Sequence, residues 1–118
     1  MHVTVVGVSG SPRQGATLYS VKEALAAAAD IPGVKTELID LRGKEIHYCI
    51  HCDRCIRESL NYCPTFRDSM DGFYESMLSA DGIIIGSPVY QMTTTALLQA
   101  FFNRLRPIAL EPVRHQSD

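Results

Sequence analysis

Strand-like and helix-like segments alternate along this chain, and no other feature restricts its fold as strongly. The run "VTVVGV", residues 3–8, is short and β-branched, which predicts a strand buried on both faces. From Thr17 onward apolar residues recur at helical spacing, until Pro32 and Gly33 stop the helix. Strands that alternate with helices in this way predict a parallel sheet with helices on both faces.

The same alternation continues downstream. The segment 34–41 mixes apolar and polar residues, which favours a second strand towards the sheet edge. A helix is then predicted from residues that share one face: Phe66, Met70, Phe73 and Met77. The "IIIG" run, residues 83–86, predicts a third, fully buried strand, and a helix from about Thr94 to Leu105 ends before Pro107. The expected architecture is therefore α/β, with three strands and a Cys-rich insertion between strands two and three.

Composition limits the class of protein. The 118 residues, 46% of them apolar, fit a single domain over residues 1–118. A net charge of -2 without a block of like charge gives no reason to expect nucleic acid or a membrane surface as partner. No apolar run approaches the ~20 residues that span a bilayer, and the first residues lack a targeting signal. We therefore expect a cytoplasmic protein that does not enter a membrane.

The loop "SGSPRQGAT" follows the first strand, where a parallel sheet binds its ligands. Gly10 allows a tight turn, Arg13 offers a charged fork, and the start of the next helix presents unpaired amides. A Ser- and Gly-rich loop can also be a simple turn. The loop matches neither a Walker A nor a GxGxxG pattern, so a monophosphate is the expected ligand. Its candidate residues are Ser9, Ser11, Arg13, Gln14, Gly15, Ala16 and Thr17.

The loop "SPVYQM" follows the third strand and is expected to face the first loop. Pro88 fixes the backbone, and Tyr90 or Met92 can lie against a flat ring. The alternative is that both side chains only fill the core. The candidate ring-binding residues are Ser87, Pro88, Val89, Tyr90, Gln91 and Met92.

Four cysteines are crowded into the predicted segment 47–65 as Cys49-x2-Cys52-x2-Cys55-x7-Cys63. In a reducing compartment such crowding favours metal ligation over disulfides. A C-x2-C-x2-C turn with a fourth Cys nearby suits a 4Fe-4S cluster, and Pro64 suits the first turn of the helix predicted to follow. Zinc, which usually takes two separated C-x2-C pairs, and free thiols remain alternatives.

Three motifs taken together carry a family resemblance: "GVSGSPRQGAT", "GSPVY" with the helix "ALLQAFFNR", and the cysteine spacing. With them the chain resembles the iron-sulfur flavoproteins within the NADPH-dependent FMN reductase superfamily. The resemblance implies a flavodoxin-like fold, FMN held by the two loops, a 4Fe-4S cluster held by the four cysteines, and an oligomer that shuttles electrons. Residues Gln91, Met92 and Thr93 depart from many relatives, which place an aromatic residue and then Gly-Ser there.

The resemblance also exposes a difference in length. A flavodoxin-like domain has five strands, whereas only three are predicted here. Either the chain is incomplete or neighbours in an oligomer cover the exposed sheet edge. A homo-oligomer, either dimer or tetramer, is therefore expected.

The function implied is electron transfer between FMN and a 4Fe-4S cluster, with ferredoxin or another redox protein as partner. Flavin exchanges one or two electrons and the cluster exchanges one, so no catalytic side chain is nominated. One alternative is an NAD(P)H-dependent FMN or quinone reductase whose cysteines hold zinc or nothing. The other is a non-enzymatic module in which a metal staples a dimer.

Overall fold

A computed structural model describes residues 2–109, in which strands and helices alternate as the sequence predicts. The strands are β1 (Val3–Ser9), β2 (Val34–Asp40) and β3 (Gly82–Gly86). The α-helices are α1 (Ala16–Ala29), α2 (Arg54–Arg57), α3 (Tyr74–Ser79), α4 (Ala96–Asn103) and α5 (Arg106–Ala109), and a 3-10 turn spans Ser69–Gly72. The predicted domain, residues 1–118, extends at both ends outside the described residues.

The three strands form one parallel sheet in the order β2-β1-β3. This confirms the predicted α/β fold with three strands, and β2 lies at an edge as expected. Ser9 is in register with Asp40 on one side and with Gly86 on the other. The loops that follow β1 and β3 therefore leave the sheet side by side.

Helices cover both faces of the sheet. On one face Val6 and Val8 belong to a buried cluster with Leu98 and Phe101 of α4. On the other face α1 approaches so closely that a Cβ on Gly7 would lie 2.7 Å from Leu25 Cδ1. Any larger residue at position 7 would have to displace the Leu25 and Val21 side chains of α1. Among residues 2–109, no helix is both long and apolar enough to cross a membrane.

The single helix predicted over Phe66, Met70, Phe73 and Met77 is wrong. Phe66 lies in the irregular segment between α2 and the 3-10 turn, and the later residues fall in the 3-10 turn, at its end and in α3. Asp68 caps the 3-10 turn by accepting a hydrogen bond from the Met70 amide at 3.1 Å, so a new element starts there. Pro64 likewise lies in an irregular segment and not in the first turn of a helix.

Two further features, the burial of β3 and the end of the last predicted helix, differ from the prediction. Strand β3 is not fully buried, because Ile83 and Ile85 are 47% and 46% exposed. Ile83 and Ile85 are in register with Val6 and Val8, so these four side chains lie on the same face of the sheet. On that face α3 and α4 pack mainly against β1 and β2, which leaves β3 partly exposed. The last predicted helix is shorter, and Pro107 does not end it: Pro107 lies inside α5, where a first-turn proline is tolerated.

Candidate functional site

The two loops proposed to bind a ligand are joined directly. The Gly10 amide donates to the Gly86 carbonyl at 2.8 Å, which extends the sheet by one bond. Thr95, the N-cap of α4, donates its hydroxyl hydrogen to the Gly10 carbonyl at 2.6 Å. Its Oγ1 also accepts from the Leu98 amide at 3.1 Å. One buried threonine thus holds the first loop against the end of the second.

The first loop divides into a buried part and an outward part. Ser9 and Ser11 are buried; the Ser11 hydroxyl donates to the Arg13 carbonyl at 2.8 Å and accepts from the Arg13 amide at 3.2 Å. The Ser9 hydroxyl has no hydrogen-bond partner among the described residues. Residues 13–16 are exposed, and Gly15 caps α1 without a side-chain bond. The groups open to a ligand are therefore the Arg13 side chain and the first-turn amides of α1, with half-buried Thr17 beside them.

The second loop ends in a tight turn that few residue types prefer. Tyr90 and Thr93 exchange two backbone hydrogen bonds, of 2.8 and 3.1 Å. Gln91 and Met92 between them have positive φ values of 48° and 66°. Met92 is 95% exposed and Val89 74% exposed, so this loop presents apolar side chains to solvent. Ser87 and Pro88 are half-buried.

All four predicted cysteines line one pocket. None of them is in a disulfide. Asn103, Arg104 and Arg106, from the end of α4 and the start of α5, line the same pocket. Two motifs far apart in the chain therefore contribute to a single cavity.

Local backbone geometry turns the cysteine segment inward. His51 and Asp53 have positive φ values of 59° and 64°, so the chain bends between successive cysteines before α2 begins. Arg106 Nη1 lies 2.6 Å from Asp53 Oδ1 and holds this bend. Cys55, in α2, is the one buried thiol of the four.

The thiols do not share one electrostatic environment. A hydrogen bond with the Thr65 hydroxyl, 3.1 Å away, and the backbone amide of Arg54 lower the pKa of Cys52, which favours its thiolate. Burial raises the pKa of Cys55, against a smaller opposing effect of Arg106. A cationic group bound to the sulfur would be needed to keep Cys55 ionised.

Within residues 2–109, no group of three or more His, Cys, Asp and Glu side chains is arranged to hold one metal ion. A zinc ion would require its sulfur ligands at about 2.3 Å from a common centre. A 4Fe-4S cluster instead gives each thiolate its own iron, so its ligands surround a larger volume.

Sequence reasoning missed four side chains that organise this pocket: Thr65, Asp68, Arg104 and Arg106. Asp68 and Arg104 form an ion pair at 2.7 Å although 36 residues separate them. An arginine at the end of a short amphipathic helix ordinarily indicates a solvated face. The one available signal was the proximity of two arginines to the end of α4, which is weak by itself.

Comparison with known proteins gives consistent results. The family model described as NADPH-dependent FMN reductase matches residues 3–116. An iron-sulfur flavoprotein of Methanocaldococcus jannaschii is 44% identical over 107 residues, covering 90% of this chain and 53% of the relative. One from Methanosarcina thermophila is 35% identical, covering 85% and 51%, and one from Clostridioides difficile is 34% identical, covering 88% and 45%. These matches confirm the resemblance drawn from the sequence.

The fold comparison agrees. The crystal structure of azoreductase AzrA superposes with a TM-score of 0.63 at 21% identity, covering 87% of this chain and 55% of that chain. At that identity the likeness concerns the fold, which is flavodoxin-like. The chain spans about half the length of the curated relatives it matches.

Proposed function

The chain belongs to the NADPH-dependent FMN reductase family, and we propose that it is an electron-transfer flavoprotein that passes electrons between an FMN and a 4Fe-4S cluster. A flavin-linked redox protein is what the family itself establishes. The proposal adds the identity of the second redox centre, a 4Fe-4S cluster. It also adds a class of partner: a one-electron carrier of the ferredoxin class exchanges electrons with the two cofactors.

One observation carries this proposal: helix α4 begins at the loops proposed for FMN and ends at the cysteine pocket. Its cap, Thr95, is bonded to Gly10, and Asn103 and Arg104 at its other end line the pocket. An eight-residue helix rises about 12 Å. The two candidate sites are therefore separated by about the length of α4.

For FMN, the chain supplies phosphate contacts in the first loop and a boundary for the ring in the second. Arg13, the amides of residues 14–17 and the Thr17 hydroxyl would bind the phosphate. The buried Ser11 hydroxyl would shape the loop, because it is already bonded to the Arg13 backbone, whereas the buried Ser9 hydroxyl has no partner among the described residues. Residues 87–92 would border the ring. When bound, FMN supplies one- and two-electron chemistry.

For the cluster, the chain supplies four cysteine thiols and a pocket wall that includes two arginines. Cys49, Cys52, Cys55 and Cys63 would each ligate one iron. Arg104 and Arg106 line the same pocket, each paired with a carboxylate, Asp68 and Asp53, so they offer hydrogen-bond donors without a net positive charge. We also propose a cytoplasmic location, since the four thiols are free and must stay reduced, and a homo-oligomer that covers the exposed side chains of Ile83 and Ile85.

The first test is the composition of protein prepared and reconstituted without oxygen. We expect a brown protein with about four irons and four sulfides per chain, together with bound flavin. If the protein contains zinc and no sulfide, the cysteines hold a structural zinc ion and not a cluster. Material that takes up neither iron nor zinc would remove the metal centre from the proposal.

The second test separates the two sites. The variant Cys55→Ala should lose iron and keep flavin, whereas Arg13→Gln should weaken FMN binding and keep iron. Lys22→Gln, on the exposed surface of α1, is the control for Arg13. Loss of both cofactors in either single variant would show that the sites are not independent.

A second candidate function has a specific observation in its favour, the nicotinamide in the description of the family. In that case the chain would accept hydride from NADPH on bound flavin and pass electrons to another flavin or a quinone. Rapid anaerobic bleaching of the flavin by NADPH would favour this reductase. Reduction by a ferredoxin-type donor alone would favour electron transfer. A third possibility, a metal-stapled dimer module, requires that no flavin binds.

A further inference from the structure

The guanidinium of Arg104 is the most deeply buried charge in the described part of the chain, at 1% side-chain exposure. It forms a two-point ion pair with Asp68: Nη1 donates to Oδ2 at 2.7 Å and Nη2 donates to Oδ1 at 3.1 Å. Asp68 is 15% exposed. Such a pair fixes orientation as well as distance, because both donors and both acceptors must align.

The same guanidinium also contacts the backbone at both ends of the cysteine segment. Nη1 donates to the His47 carbonyl at 2.9 Å, and Nη2 donates to the Phe66 carbonyl at 2.9 Å. Asp68 completes the arrangement by accepting from the His47 amide at 2.9 Å. The His47 and Phe66 rings stack at 3.8 Å, with the Arg104 guanidinium 5.5 Å from the Phe66 ring. The residues just before Cys49 and just after Cys63 therefore meet at one side chain.

We propose that Arg104, oriented by Asp68, is a positioning residue that closes the cysteine segment at its base and holds it on α4. The inference rests on the proposed function, since the purpose of the closed segment is to keep four thiols around one cavity. The inference goes beyond the proposed function because it assigns this positioning of the thiols to Arg104 and Asp68, which lie outside the cysteine motif.

The energetics favour a positioning role over a purely stabilising one. A buried ion pair usually contributes little net stability compared with apolar packing, but it specifies geometry. Closing the segment in advance also removes the entropy that the free loop would lose when a cluster binds. Lysine cannot replace arginine here, because one ammonium cannot reach two carboxylate oxygens and two carbonyls in a fixed planar fork.

The test compares Arg104→Lys and Asp68→Asn with a matched control in the full chain. The control is Arg67→Gln. Arg67 forms an ion pair with Asp71 at 3.0 Å on the surface, with 61% side-chain exposure, and contacts the segment through the Tyr62 ring, 5.1 Å away, and not through the His47 and Phe66 backbone. After anaerobic reconstitution we would measure iron and sulfide per chain, the rate of iron loss to a chelator, the visible circular dichroism and bound FMN.

We expect Arg104→Lys to lose iron about 10-fold faster than the parent chain or more, with altered visible dichroism and unchanged FMN. Asp68→Asn should act in the same direction, and Arg67→Gln should match the parent. Iron retention by Arg104→Lys at the parent's rate would overturn the proposal. Loss of FMN and of the helical far-ultraviolet signal in both Arg104→Lys and Asp68→Asn would also overturn it, because the pair would then support the whole domain.

A second readout uses the chain without iron and separates this proposal from the proposed function. Limited proteolysis between residues 48 and 65 and the rate of thiol labelling report whether the segment is closed. Both should rise in Arg104→Lys and stay unchanged in Arg67→Gln. If the parent chain binds no cluster, the proposed function fails while this comparison still decides the role of Arg104. Equal proteolysis and labelling in the parent and Arg104→Lys would refute it.

Discussion

The hydroxyl of Thr95 donates to the carbonyl of Gly10 at 2.6 Å across a separation of 85 residues. Thr95 is 2% exposed, and the same oxygen caps α4 through the Leu98 amide. The ligand loop after β1 and the helix that leads to the cysteines are therefore positioned by one side chain. This contact connects the two halves of the proposed redox site.

Replacing this hydroxyl should weaken both the fold and the flavin site. Thr95→Val keeps the shape but removes the helix cap and leaves the Gly10 carbonyl buried without its donor, which we expect to cost about 2 kcal/mol. FMN affinity should fall as well, because the first loop is released. Urea unfolding and flavin fluorescence titration measure the two effects. Thr36→Val, at an exposed position of β2, is the control and should change stability by less than about 0.5 kcal/mol. An unchanged Thr95→Val would contradict the linking role.

Close packing of α1 against β3 gives a second prediction. A Cβ on Gly86 would lie 2.6 Å from Val21 Cγ2 and 3.3 Å from Thr17 Cγ2. Gly86→Ala should therefore push α1 away from the sheet, cost about 1–3 kcal/mol and increase the rate of FMN dissociation. Gly72→Ala is the control, since its added methyl group meets nothing within 4 Å. Equal stability of the two variants, measured by thermal unfolding, would argue against the close contact.

Those parts of the structure that depend on local pattern were predictable. The β-branched run at 3–8 and the Ala-rich stretch after it predicted β1 and α1 nearly to the residue. The four cysteines line one pocket, and the metal centre expected from their spacing stays a prediction. The prediction of one helix from Phe66 to Met77 is wrong, because Asp68 begins a separate turn and accepts a hydrogen bond from Arg104. That partnership exists only after the chain has folded, so no local pattern could indicate it.

The turn in the second loop yields a prediction about strain. Met92 has a φ of 66° and a fully solvated side chain, so it bears the cost of a left-handed backbone without compensating contacts. Met92→Gly should stabilise the protein by about 0.5–1 kcal/mol, whereas Met92→Ala, which keeps the backbone cost, should be near neutral. Chemical unfolding compares the two directly. If glycine gives no gain over alanine, the turn is not strained as described.

The Asp68–Arg104 pair predicts how stability changes in acid. Burial by itself would raise the pKa of Asp68, but the hydrogen bonds from Arg104, His47 and Met70 outweigh it and hold the pKa below the ordinary value. Tyr74, another titratable neighbour of Arg104, stays neutral because burial raises its pKa to about 12. The stabilisation from ionised Asp68 is thus complete above its unfolded pKa, at about 4, and is lost as the pH falls through the lower folded value.

The variant Asp68→Asn isolates the contribution of the Asp68 charge to stability, because it removes the ionisable group while keeping the size of the side chain. At pH 7 the variant should be about 3–5 kcal/mol less stable, since Arg104 is left buried without its counter-charge. The difference between parent and variant should stay constant down to about pH 4 and shrink below it. Urea unfolding of the iron-free chain across this range measures the difference without interference from cluster loss. Asp71→Asn, in the exposed pair with Arg67, should show a difference near zero at every pH. A parent-to-variant gap for Asp68→Asn that stayed constant below pH 4 would mean that the carboxylate does not ionise against Arg104 in the folded chain.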